Sequence, residues 1–92
     1  MDIEIEIGPV GKLNLEAPQQ DWNGRNSVLI QYARFAGQEM MAIQKSDDEP
    51  DAFELHFLGL VGSGFKSIEE AKESAPAFAK EVFNYLSQMV ND

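Results

Sequence analysis

The stretch Val28-Leu29-Ile30-Gln31-Tyr32-Ala33-Arg34-Phe35-Ala36, with its return from Glu39 to Lys45, decides the fold. Both arms are rich in strand formers, and Gly37-Gln38 between them offers a turn. Val28, Ile30 and Tyr32 share one face of the first arm; Leu29, Ala33 and Phe35 share the other. Apolar side chains on both faces predict strands well inside a sheet rather than strands with one face fully solvated.

Upstream, Ile3, Ile5 and Ile7 alternate with Asp2, Glu4 and Glu6, the period of a strand with one buried face. Gly8-Pro9-Val10-Gly11 interrupts the alternation, and Leu13 and Leu15 resume it before Pro18, so a further hairpin is predicted here. Gln19 to Asn26 is polar and reads as a loop carrying Trp22 and Arg25. Downstream, Asp47-Asp48-Glu49-Pro50-Asp51 reads as an acidic turn, and Phe53, Leu55 and Phe57 alternate with Glu54 and His56 as another strand. Gly59-Leu60-Val61-Gly62-Ser63-Gly64 then reads as the end of the sheet.

Ser67 with Glu70 three residues later is a capping box and opens a helix. Ile68, Ala71, Ala75, Phe78, Ala79, Val82, Leu86 and Met89 recur at spacings of three and four, which gives that helix an apolar stripe. Pro76 deletes a hydrogen bond, so a short helix, a kink near Ser74 and a main helix to about Val90 are expected. The fold class is α+β: an antiparallel sheet of four to five strands, two hairpins plus one strand, with a C-terminal helix packed on one face. Residues 1–92 read as a single domain.

With 43 % hydrophobic and 10 % aromatic residues in 92, the chain can build a core. Sixteen acidic residues against seven basic ones give a net charge of -9. Direct nucleic-acid binding starts at a penalty, because phosphate neutralisation normally supplies much of that affinity. A basic protein surface is attracted instead. The absence of cysteine suits a reducing cytoplasm. The acidic start Met1-Asp2-Ile3-Glu4 lacks the pattern of a signal peptide, and no run approaches the roughly 18 apolar residues of a membrane span. A cytoplasmic monomer or homodimer is expected.

Catalytic groups are scarce. His56 is the single histidine, on the outward phase of its strand beside Glu54, and a general base or a metal site needs more partners than that. Gly62-Ser63-Gly64 lacks the spacing of a nucleophile elbow. Glu69 and Glu70 at the helix start would repel a phosphate. Asp47, Asp48, Glu49 and Asp51 lack the central glycine and the distal glutamate of a calcium loop. No catalytic residue, metal or cofactor is predicted, which excludes most enzyme classes.

What remains is contact chemistry. Asp2, Glu4 and Glu6 would project from one strand face at intervals of about 6.7 Å, twice the rise per residue. Glu16 joins them from the opposite strand, and such a row imitates a nucleic-acid backbone lying in a basic groove. Trp22 and Arg25 are residue types enriched at interface hot spots. The expected partner is a protein with a basic surface, such as a nucleic-acid-handling complex. Its contact residues are Asp2, Glu4, Glu6, Glu16, Trp22, Arg25, Asp47, Asp48, Glu49 and Asp51. An alternative is a regulatory module that contacts a cognate protein or its own copy through a sheet edge and the C-terminal helix, where Phe83 and Tyr85 lie outside the core set.

Three resemblances bear on this. From Phe53 onward, a strand, a glycine-containing turn and Glu70-Ala71-Lys72 opening a helix resemble the end of a double-stranded-RNA-binding domain. Ile68, Glu69 and Glu70 stand where that family presents basic residues, so the resemblance implies shared topology and not RNA binding. Gly59, Gly62 and Glu69-Glu70-Ala71 are similar to the corresponding stretch of HicB-type antitoxins, which implies a protein-binding role. In size, acidity and sheet-plus-helix order the chain resembles small phage-encoded inhibitors of host defence of the anti-CRISPR type. That implies a protein that blocks a nucleic-acid-handling complex by occupying its surface.

Overall fold

The computed structural model describes residues 2–6, 8, 16–24 and 29–91. The central stretch folds as β1 (Ile30–Phe35) and β2 (Gln38–Ser46), followed by β3 (Glu49–Phe57), β4 (Leu60–Phe65) and α1 (Ile68–Gln88). The strands form one open antiparallel sheet in chain order, each paired with the next, and α1 packs on one face.

Two of the three strand-to-strand connections are held by left-handed residues. Phe35 pairs with Gln38 across Ala36-Gly37, with φ of 53° and 76°, and Phe57 pairs with Leu60 across Leu58-Gly59, with φ of 52° and 82°. Positive φ at both central residues is the condition of the type I′ turn, whose twist matches that of the flanking strands. The first turn therefore sits one residue earlier than Gly37-Gln38, with glycine at its second central position. Its Gly37 N–H donates to Gln19 Oε1 at 2.9 Å, tying the turn to the preceding segment.

The acidic stretch divides. Asp47-Asp48 form the β2–β3 turn, while Glu49, Pro50 and Asp51 already belong to β3. Gln44 pairs with Phe53 and Ser46 with Glu49, so Pro50, Asp51 and Ala52 bulge opposite Lys45. A proline without an N–H is tolerated at such an irregularity.

Gly59–Gly64 does not end the sheet; from Leu60 it forms the fourth strand. Leu55 pairs with Gly62 and Phe53 with Phe65, so Ser63 and Gly64 together oppose Glu54 in a β-bulge. Gly64 takes φ of 96° there. The glycines that read as breakers are what let this strand bend and approach the helix.

The core lies between the sheet and α1. Ala33, Phe35, Met40, Ala42, Phe53, Leu55 and Phe57 meet Ile68, Ala71, Ala75, Ala79 and Val82. Small helix residues opposite large sheet residues let the layers approach closely, and Phe35, Phe57 and Phe83 stack edge-on, with centroids 6.4 and 5.5 Å apart. Ser67 caps the helix: its Oγ accepts from the Glu70 N–H at 3.1 Å. Helix α1 is one element through Pro76, which is exposed and forfeits only the bond to the Lys72 carbonyl. Met89 is the C-cap and 64 % exposed, so the apolar stripe ends at Leu86.

Residues 2–6 lie outside any strand, with Ile3 and Ile5 73 % and 92 % exposed. Alternation alone does not supply a pairing partner. The rest of the expected N-terminal hairpin, from Pro9 to Leu15, lies outside the described residues, and so does Ile7.

Candidate interaction surface

Antiparallel register sends alternate residues of each strand away from α1. Tyr32 pairs with Met41, Met41 with His56, and His56 with Val61, so these four form a continuous row across the uncovered face. Ile30, Ile43 and Glu54 form the neighbouring row. Tyr32 and Val61 are exposed, the latter at 52 %, and Ile30, Met41 and Ile43 are half-buried. Glu54 Oε1 lies 3.1 Å from His56 Nε2, so the histidine's near partner is a carboxylate. Glu39, opposite Arg34, supplies another carboxylate at the margin. These rows set apolar side chains beside Glu54 and His56 on the uncovered face, which makes it a candidate contact surface.

Strands β2 and β3 carry this face onward to the acidic turn. Asp47, Asp48, Glu49 and Asp51 are all exposed there, and Lys45 Nζ stands 3.6 Å from Glu49. Asp51 and Glu69 line one hollow together with Lys66, so the first turn of α1 adds its carboxylate to the same end. The other acidic candidates are not gathered into it: Asp2, Glu4, Glu6 and Glu16 are exposed, but residues 2–6 form no strand on which the expected row could stand. Arg25 lies outside the described residues.

Trp22 is placed as a lid. It is half-buried against the core, 6.0 Å from Phe35 between ring centroids. Its segment runs along the outer edge of β1: Asn23 and Tyr32 exchange backbone hydrogen bonds of 2.8 and 2.7 Å, and Gln20 N–H donates to Arg34 O at 2.7 Å. A Cβ on Gly24 would fall 2.5 Å from the Ile30 carbonyl oxygen, which is why glycine stands where this segment meets β1.

A second surface joins a sheet edge to the C-terminal helix, as the alternative reading expects, although its strand, β4, reads as a loop in the sequence. Leu60 and Val61 of β4 border a groove closed by Phe78, Glu81, Val82 and Tyr85 of α1. Tyr85 is 55 % exposed beside it. Among the described residues strand β4 is the last in the sheet order, and it carries no charged residue.

Among the described residues no polar or charged side chain is buried, and no group of three or more His, Asp or Glu is placed to hold a metal ion. No described helix is long and apolar enough to cross a membrane. No family model, curated protein or solved structure matches the chain.

Proposed function

We propose that this protein is a non-enzymatic binding module that occupies a basic surface of a partner protein. The observation that supports this is the row Tyr32–Met41–His56–Val61 on the face that α1 leaves uncovered. The row supplies apolar area for the centre of an interface, and the Asp47–Asp51 end of the same two strands supplies the charge. The two parts do different work. Apolar burial provides affinity, while the acidic end steers a basic partner and rejects anionic competitors. The net charge of -9 acts in the same direction at longer range. Inhibition of a nucleic-acid-handling complex, as the anti-CRISPR-type resemblance implies, is the narrower form of this proposal.

The test is affinity capture from a lysate of the organism that encodes the protein, at low and high salt, comparing wild type with Tyr32→Ala/Val61→Ser and with Asp47→Lys/Asp48→Lys. Support is one protein with a basic surface, retained by wild type, lost with the sheet-face variant and weakened by the charge variant and by salt. Retention that none of these changes would overturn the assignment.

A further inference from the structure

We propose that the N-terminal segment Asp2–Glu6 of one copy adds as a strand to the β4 edge of a second copy, setting its isoleucines into the groove between β4 and α1.

Among the described residues, both halves of this pairing are present and neither is paired. Ile3 and Ile5 carry the strand period, yet among the described residues they have no strand to pair with and stand almost wholly in water. Solvated β-branched side chains at period 2 are poised for burial on one face of a sheet. At the other end, among the described residues β4 has a neighbour on one side only, because the order of the described strands stops there. The opposite edge is already occupied at Arg34 and Tyr32 by Gln20 and Asn23. Edge strands that must stay alone usually carry charge or proline, and Leu60-Val61-Gly62-Ser63-Gly64-Phe65 has neither. The bulge at Ser63-Gly64 limits the regular edge to Leu60–Gly62, the part that borders the groove.

The chemistry of the two surfaces matches. With the segment laid beside β4, one face carries Ile3 and Ile5 toward Leu60, Phe78, Val82 and Tyr85. The other turns Asp2, Glu4 and Glu6 to solvent alongside Val61. The occupant is taken from a second copy, because among the described residues of one chain Asp2–Glu6 pairs with no strand and leaves Ile3 and Ile5 exposed. Two copies can exchange segments reciprocally, which closes the assembly as a two-fold dimer. Each copy carries a net charge of -9, so repulsion opposes this dimer and added salt strengthens it. That is the reverse of the salt effect expected for a basic partner, so the two associations fail or succeed separately.

The test is light scattering during gel filtration, across protein concentration and salt, on wild type and Ile3→Asp/Ile5→Asp. Because the chain lacks cysteine, Glu4→Cys/Val61→Cys and Glu6→Cys/Val61→Cys can also be oxidised and sized without reductant. The expected result is a mass of twice 10.3 kDa that grows with salt, returns to one chain in the isoleucine variant, and is trapped as an intermolecular disulfide by one of the cysteine pairs. The isoleucine variant removes no core contact, and an unchanged circular dichroism spectrum confirms that it still folds. A disulfide within a single chain, a wild type that stays at one-chain mass under all conditions, or a dimer that survives Ile3→Asp/Ile5→Asp would each overturn the proposal.

Discussion

Phe78 lies over Gly62 so closely that a Cβ added to the glycine would fall 2.7 Å from its Cε1. This contact brings α1 down onto β4, and glycine is required there for space rather than for backbone freedom. Gly62→Ala forces the ring outward into the open groove, at a cost of about 1–2 kcal/mol. Urea unfolding should show that loss in the wild-type background and show it shrinking in Phe78→Ala, where the obstructing ring is gone.

The turns offer the opposite effect. Ala36 and Leu58 hold φ of 53° and 52° without being glycine, and both are exposed. A left-handed L-residue costs on the order of 1 kcal/mol, and asparagine followed by glycine is the favoured type I′ pair. Ala36→Asn and Leu58→Asn should each raise stability by about 0.5–1 kcal/mol in thermal or urea unfolding. Since Ala36 and Leu58 lie in separate turns without a shared partner, the gains should add.

Trp22 reports on the lid it forms. Its emission should be blue-shifted in the native protein and move red in step with the loss of helical circular dichroism, because the ring is half-buried on Phe35. Trp22→Ala should destabilise by about 2–3 kcal/mol, below the range for a fully buried aromatic. A red shift that precedes the loss of helix would show the lid opening independently of the core.

How far these features are legible in the sequence depends on the scale of each signal. The β1–β2 hairpin, the Phe53–Phe57 strand and the capped helix all carry local periodicity backed by burial on one face, and the architecture follows from them. Strand β4 is hidden because Gly62 and Gly64 look like breakers. Their roles, clearance for Phe78 and a bulge opposite Glu54, exist only in the folded molecule. The Ile3-Ile5 alternation misleads in the other direction: it states a preference for pairing without naming a partner. The cross-strand row through Tyr32, Met41, His56 and Val61 needs the register of all four strands, which a one-residue slip would reverse. Pro76 reads as the cause of a kink near Ser74 that divides a short helix from a main one, yet α1 is one element through it. At this exposed site it removes one hydrogen bond and leaves the buried stripe intact.

The acidic end should matter for association and hardly for stability. Asp47, Asp48 and Asp51 are exposed, and the Lys45–Glu49 pair is a solvated contact of 3.6 Å. Asp47→Lys/Asp48→Lys should keep stability within about 0.5 kcal/mol. It should slow association with a basic partner and flatten its salt dependence, as stopped-flow or surface-binding kinetics would read out.

The uncovered sheet face as an interface is the central claim, and amide chemical-shift mapping of the labelled protein with its captured partner tests it most directly. The account predicts perturbations concentrated at Tyr32, Met41, His56 and Val61 and extending to Asp47–Asp51, with the exposed side of α1 unaffected. Perturbations confined to α1, with the Tyr32–Val61 row unchanged at saturation, would contradict it.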